Sequence, residues 1–79
     1  MEGLLVYLSE SDRMAVRSDE DQKIEELHCG DFLSVWKREN ARWEETRIEY
    51  GLSNDWYLVG QNARGISSLQ ERKVRTEED

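Results

Sequence analysis

Hydrophobic and polar positions alternate along the chain in short runs, which is typical of β-strands joined by polar turns. The apolar run at residues 3–8 (GLLVYL) predicts a strand, and residues 9–12 (SESD) predict a turn. Residues 14–17 (MAVR) resume an extended pattern, so the start of the chain predicts a hairpin. The acidic residues 18–23 are then expected to leave the sheet as a loop.

Two further segments have strand patterns. Residues 32–37 (FLSVWK) alternate between the two faces of a strand, with Leu33 and Val35 on the same face. Residues 56–60 (WYLVG) follow a loop of turn-forming residues at 51–55 and predict another strand.

The longest strand candidate is the segment 42–50 (RWEETRIEY). In it Trp43 has the opposite parity to Ile48, so the two large apolar side chains point to different faces of a regular strand. We therefore expect a bulge or a coiled strand near Glu44 and Glu45.

The C-terminal part has two alternative structures. Ser67 and Gln70 have the spacing of a capping box, which favours a helix start. Only Leu69 and Val74 are apolar beyond that point, which makes a poor helical stripe. A short final strand around residues 73–75 is the preferred alternative.

Five or six short strands with polar turns predict a mainly β fold, either a small, strongly bent antiparallel sheet or an SH3-like barrel. We expect one domain over residues 1–76, followed by an acidic tail at 77–79. The chain has 79 residues, of which 37% are hydrophobic, so the core is thin. Trp36, Trp43 and Trp56 are expected to fill it. Of the aromatic residues, Trp43 is the one most expected to be exposed, because it is off parity and flanked by Arg42 and Glu44. The protein is expected to be a monomer or a homodimer.

The single cysteine excludes an internal disulfide framework, which argues against a small secreted scaffold. The N-terminal apolar run is too short for a signal core or a membrane span. The sequence therefore favours a cytoplasmic protein.

The net charge is −7, from 18 acidic against 11 basic residues. Such a charge opposes direct binding to a phosphate backbone unless the bases gather on one face. Acidic residues are densest at 18–31, where Lys23 is the only base.

Four stretches (GLLVY, LHCGDFLSV, WEETRIEY and DWYLVG) resemble a family of short uncharacterised domains from Gram-positive bacteria, often carried on mobile elements. The resemblance spans about residues 3–60. It implies no established activity. By association with mobile elements it implies an antagonist of host defence, such as an anti-CRISPR inhibitor.

The stretch IEELHCGD holds the only histidine and the only cysteine of the chain. Adjacent strand residues point to opposite faces, so His28 and Cys29 are not expected to form a nucleophile–base pair. We expect Leu27 and Cys29 to face the core, with a turn at residues 30–31. A zinc site using His28, Cys29 and nearby carboxylates is an alternative that needs ligands beyond these two.

No motif in the sequence indicates an enzyme. The acidic side chains are therefore the main functional signal. Strand residues two apart repeat at about 6.6 Å, similar in scale to successive phosphates. We therefore expect a non-enzymatic protein that engages the basic nucleic-acid groove of a partner as a possible DNA mimic, with a CRISPR effector such as Cas9 as the leading target. The partner-binding residues would be Asp19, Glu20, Asp21, Glu25, Glu26, Glu44, Glu45 and Glu49.

Three alternatives remain. The acidic residues could serve solubility alone. The protein could instead be a small nucleic-acid-binding accessory or, third, a metal-binding module. The accessory would use exposed aromatic residues and a set of bases: Arg42, Arg47, Arg64, Arg72, Lys73 and Arg75.

Overall fold

Seven short strands pair antiparallel into one open sheet in the computed structural model, which describes residues 1–51 and 54–76. The elements are β1 (Glu2–Leu8), β2 (Arg13–Ser18), β3 (Ile24–Glu26), β4 (Phe32–Lys37), β5 (Arg42–Tyr50), β6 (Trp56–Leu58), α1 (Ile66–Leu69) and β7 (Lys73–Arg75). Their order across the sheet is β3-β2-β1-β7-β4-β5-β6. The predicted mainly β fold with an antiparallel sheet is confirmed, with seven strands instead of five or six.

The last strand, β7, occupies the centre of the sheet. Val74 lies opposite Gly3 of β1 on one side and opposite Val35 of β4 on the other. It thereby joins two three-stranded meanders, β3-β2-β1 and β4-β5-β6. The predicted C-terminal strand is confirmed, and the four-residue helix α1 precedes it. A helix this short needs no apolar stripe, and Leu69 alone anchors it in the core.

The core lies on one face of the sheet, which follows from the period-two alternation of the strands. Its fully buried members include Leu5, Val16, Val35, Ile48 and Val74. The predicted shared face of Leu33 and Val35 is confirmed, since both are buried.

The opposite side of the sheet, called the outer face here, carries two of the three tryptophans. Only Trp56 is buried, whereas Trp36 and Trp43 are half-buried on the outer face. The expectation that all three tryptophans fill the core was therefore wrong for two of them. Trp36 and Trp43 are register partners across β4 and β5, and their rings meet edge to face at 5.4 Å.

The same pairing accounts for the absence of the predicted bulge. The β4–β5 register runs without interruption from Phe32↔Arg47 to Lys37↔Arg42. Trp43 needs no change of parity, because it packs against an aromatic partner outside the core.

Residues 27–31 bridge the two halves of the sheet. The Leu27 amide donates to the Met14 carbonyl of β2 at 2.9 Å, and the Gly30 amide donates to the Ile48 carbonyl of β5 at 2.7 Å. Because β2 and β5 lie in different meanders, this bridge holds the sheet bent around its core.

Some predictions concern residues that the structure describes only in part. The acidic 18–23 stretch contains a tight turn at residues 19–21, and β3 follows it as a strand that the sequence pattern did not predict. Residues 52–53 of the predicted loop and the acidic tail 77–79 lie outside the described residues. Within residues 1–51 and 54–76, no helix is long and apolar enough to cross a membrane.

Candidate binding surfaces

An acidic depression opens beside the β2–β3 turn and the edge strand β3. Its volume is about 570 Å³. Five acidic residues line it together with two cations, Lys23 and the terminal ammonium of Met1. The acidic residues, named here the acidic rim, are Glu2, Asp19, Glu20, Asp21 and Glu25. The rim includes four of the eight predicted partner-binding residues, and Glu26 follows directly in β3.

Local hydrogen bonds fix the turn that carries the rim. The Glu20 amide donates to the Ser18 hydroxyl oxygen at 3.2 Å, and the Lys23 amide donates to the Asp21 carboxylate at 3.1 Å. Short polar side chains favour such turns because they bond their own backbone. The amide of Lys23, and secondarily the Ser18 hydroxyl, hold the pKa of Asp21 below its ordinary value. The carboxylate therefore remains ionised at neutral pH.

The charge of the rim is poorly compensated. Within residues 1–51 and 54–76, no basic nitrogen lies within 4 Å of Asp19, Glu20 or Glu25. Glu26 has a loose, exposed ion pair with Arg13 at 3.8 Å. An exposed pair of this kind contributes little, so the rim keeps a local negative potential.

The predicted acidic residues of β5 do not join this surface. Four strands (β2, β1, β7 and β4) separate β5 from β3 in the sheet. Glu44 accepts a hydrogen bond from the Gln61 amide at 2.9 Å, and Glu49 accepts one from Arg47 at 2.8 Å. Glu45 is exposed on the outer face. The eight carboxylates therefore form two groups, and only the rim is concentrated.

His28 and Cys29 lie in a tight turn. The His28 amide donates to the Asp31 carboxylate at 2.8 Å, the Asp31 amide donates to the His28 carbonyl at 3.0 Å, and Gly30 has a φ of +89°. Leu27 is buried as predicted. The prediction of a buried thiol was wrong, because the chain turns after Leu27 and strand parity no longer applies; Cys29 is exposed.

The alternative of a zinc site has no cluster of ligands in the described part of the chain. Among residues 1–51 and 54–76, no three histidine, cysteine or carboxylate side chains converge in a way that would hold a metal ion. The imidazole Nδ1 of His28 lies 3.6 Å from an Asp31 carboxylate oxygen, a contact that the turn itself explains. The zinc site stays an untested prediction.

A second groove, of opposite charge, borders β7. Its volume is about 440 Å³, and Val35, Trp36, Arg38, Glu71, Arg72 and Lys73 line it. Beside it the Arg75 guanidinium lies 4.6 Å above the Trp43 ring. Sequence reasoning missed Arg38, which follows the end of β4 in a turn, where strand alternation does not predict the direction of a side chain.

The other predicted bases are engaged elsewhere. The Arg64 guanidinium lies 4.3 Å above the Tyr57 ring, Arg47 pairs with Glu49 at 2.8 Å, and Arg42 lies 3.8 Å from Glu44. The set of bases is therefore divided, and Arg72, Lys73 and Arg75 are the part that meets the outer tryptophans.

The sequence also matches a family model over residues 3–76, described as a domain of unknown function, DUF5348. The chain belongs to the DUF5348 family. Its fold is similar to the crystal structure of a protein from Ruminococcus gnavus determined by a structural genomics consortium. The TM-score is 0.77 at 38% identity, over 96% of this chain and 100% of the other. No curated protein matches.

Membership of DUF5348 confirms the expected resemblance in its general form, a short domain of unknown function. The association with mobile elements and with inhibition stays a prediction. The exposure of one residue of this DUF5348 chain was not predicted: Phe32 lies on the face opposite Leu33 and Val35, as alternation indicates, and is 67% exposed, more than any other large hydrophobic residue that the structure describes. Trp43, the expected exposed aromatic, is half-buried beneath Arg75.

Proposed function

We propose that this DUF5348 domain is a non-enzymatic binding module whose acidic rim captures a basic segment of a partner protein. The concentration of uncompensated carboxylates around one depression supports the proposal. Hydrogen bonds hold the backbone of the turn that carries Asp19, Glu20 and Asp21, so the turn has little backbone freedom to lose on binding.

The positions of the carboxylates favour a compact patch over the extended row, imitating successive phosphates, that the sequence suggested. Carboxylates at the rim occupy one depression and one short edge strand, whereas those of β5 lie beyond four further strands. A compact patch of this size fits a few arginine or lysine side chains of a partner and favours fast, salt-sensitive association.

Within this class, the more specific proposal is an inhibitor that occupies the nucleic-acid groove of an enzyme, with a CRISPR effector such as Cas9 as the leading target. Such grooves are lined by basic residues that hold a guide–target duplex. The support for it is charge complementarity together with the resemblance noted above.

The test compares two triple charge reversals of equal size. Asp19→Lys, Glu20→Lys and Glu25→Lys alter the rim, whereas Glu10→Lys, Glu39→Lys and Glu45→Lys alter exposed acids elsewhere. We expect the wild type and the control to bind a fluorescein-labelled arginine-rich peptide in an anisotropy titration, and the rim variant to lose about tenfold or more in affinity. Circular dichroism checks that each variant is folded.

Equal losses in both variants would mean that only net charge matters, and the rim would not be the site. A Cas9 DNA-cleavage assay tests the specific form. Inhibition by the wild type that the rim variant loses supports it. Absence of inhibition by the wild type rejects Cas9 as the target, and the peptide titration still decides the general proposal.

A further inference from the structure

The groove beside Trp36, named here the β7 groove, reverses the charge of the molecule locally. Arg38, Arg72 and Lys73 face a single acid, Glu71, which gives three positive charges against one negative, a net of +2. The whole chain carries −7. Three of the 11 bases have thus gathered in this groove, and such local clustering is the condition that direct contact with phosphates requires.

Aromatic rings lie within and beside this basic groove. Trp36 lines the groove, and its ring meets Trp43 edge to face at 5.4 Å. Arg75 covers Trp43 at 4.6 Å. Rings next to guanidinium groups form a platform on which flat aromatic ligands stack.

The spacing along β7 suits a chain of phosphates. Lys73 and Arg75 are two residues apart and share the outer face, so they repeat at about 6.6 Å. That distance is similar in scale to the one between successive phosphates of an extended strand. Arg72 is held in place because its Nε donates to the Ser68 carbonyl of α1 at 2.8 Å.

We propose that the β7 groove binds single-stranded nucleic acid, with a base stacked on Trp36 and the backbone following Lys73 and Arg75. Stacking needs an unpaired base, because a duplex hides the faces of its bases. The ring distinguishes this ligand from an acidic peptide, which would need only the cations. This groove is separate from the acidic rim, and the proposal does not depend on it.

The first test measures binding of fluorescein-labelled dT10 and rU10 by anisotropy at several salt concentrations. Lys73→Glu and Lys23→Glu form a matched pair, since both replace an exposed lysine and change the net charge equally. We expect Lys73→Glu to weaken binding about tenfold and Lys23→Glu to change it less than about threefold. Equal effects would show that only net charge matters and would overturn the proposal.

The second test addresses stacking. Trp36→Leu should weaken binding about tenfold, and Trp36→Phe should restore much of it because a ring is present again. Phe32→Leu, at an exposed aromatic residue outside the groove, is the control and should leave affinity unchanged. Thermal melting establishes that each variant is folded. If Trp36→Leu does not fold, competition with a duplex decides whether stacking contributes.

Competitors distinguish the ligand classes. Unlabelled dT10 should displace the probe, whereas a stable mixed-sequence DNA duplex and poly-glutamate should displace it at least tenfold less well. Displacement by poly-glutamate at the same concentration would make the groove a general anion site. Equal displacement by the duplex would remove the role of stacking. Either result, or no binding of dT10 at low salt, contradicts the proposal.

Discussion

At the scale of single residues, Gly3 fixes how closely two strands approach. A Cβ atom at this position would collide with the carbonyl oxygen of Arg17, which belongs to the backbone of β2. Backbone cannot move aside as the end of a flexible side chain can. The position therefore requires glycine for space, and its φ is not the reason.

We expect Gly3→Ala to lower the free energy of unfolding by about 1–3 kcal/mol, as overpacking does. Urea denaturation measures it. Gly60→Ala is the comparison, because Gly60 has a φ of +74° with open space around it, so that only backbone strain of about 1 kcal/mol is expected. A smaller effect at Gly3 than at Gly60 would contradict the close approach.

Single-residue faces were predictable wherever a strand is regular. Alternation placed Leu33 and Val35 in the core correctly. It failed at Cys29, because parity holds only while the chain stays extended, and the Asp31 carboxylate ends that extension by accepting the His28 amide. Competition between a side-chain hydrogen bond and the strand ladder is local chemistry that a hydrophobic pattern does not contain.

At the scale of elements, the bridge at residues 27–31 contains one side chain that the fold requires and one that it does not require. Leu27 is 2% exposed and packs in the core, whereas Cys29 is exposed in the turn. Leu27→Ala should cost about 2–5 kcal/mol in unfolding free energy. Cys29→Ser should change it by less than about 0.5 kcal/mol.

Chemical denaturation of both variants checks this pair of expectations. Native protein should also react with a thiol reagent such as DTNB without prior unfolding, since the thiol is accessible. A thiol that reacts only in denaturant would show that Cys29 is buried in solution.

Elements were more predictable than their pairing. Strands β1, β2, β4, β5 and β6 follow from the sequence pattern, whereas β3 does not, because its three residues (IEE) are all exposed and show no alternation. Such a strand exists only through its ladder with β2, which is a tertiary effect. The sequence predicts the acidic rim as a run of acidic residues, but the depression that these residues line depends on β3.

At the scale of the whole molecule, β3 is an open edge of the sheet, whereas residues 63–65 cover the other edge, β6, through hydrogen bonds to Trp56 and Leu58. Glu25 and Glu26 place like charges along the open edge. Two copies pairing antiparallel at β3 would bring these carboxylates together, which disfavours association between copies.

Removing that charge should promote self-association. We expect Glu25→Thr with Glu26→Thr to form dimers or larger species as concentration rises, which size-exclusion chromatography with light scattering measures. The control, Glu39→Thr with Glu45→Thr, changes the net charge equally at other exposed sites and should behave as the wild type. Identical profiles for both variants would mean that the edge charges do not limit pairing.

The distribution of charge over the molecule could not be predicted from counts. The eight acidic residues predicted to bind a partner fall into two groups, because the strand order places four strands between β3 and β5. Conversely, Arg38 and Lys73 are distant in sequence and adjacent in the β7 groove. Which charges meet depends on the central insertion of β7, a non-local pairing that no sequence window contains.

The central position of β7 also has a consequence for biosynthesis. The ribosome makes β7 after the other six strands, and until residues 73–75 emerge the nascent chain holds two meanders whose inner edges, β1 and β4, lack their partner. Three strands are the smallest sheet expected to be stable alone, and uncovered edges invite misassembly. The two meanders therefore cannot join until residues 73–75 have been synthesised, and a chain that lacks these residues loses the one strand that unites its halves.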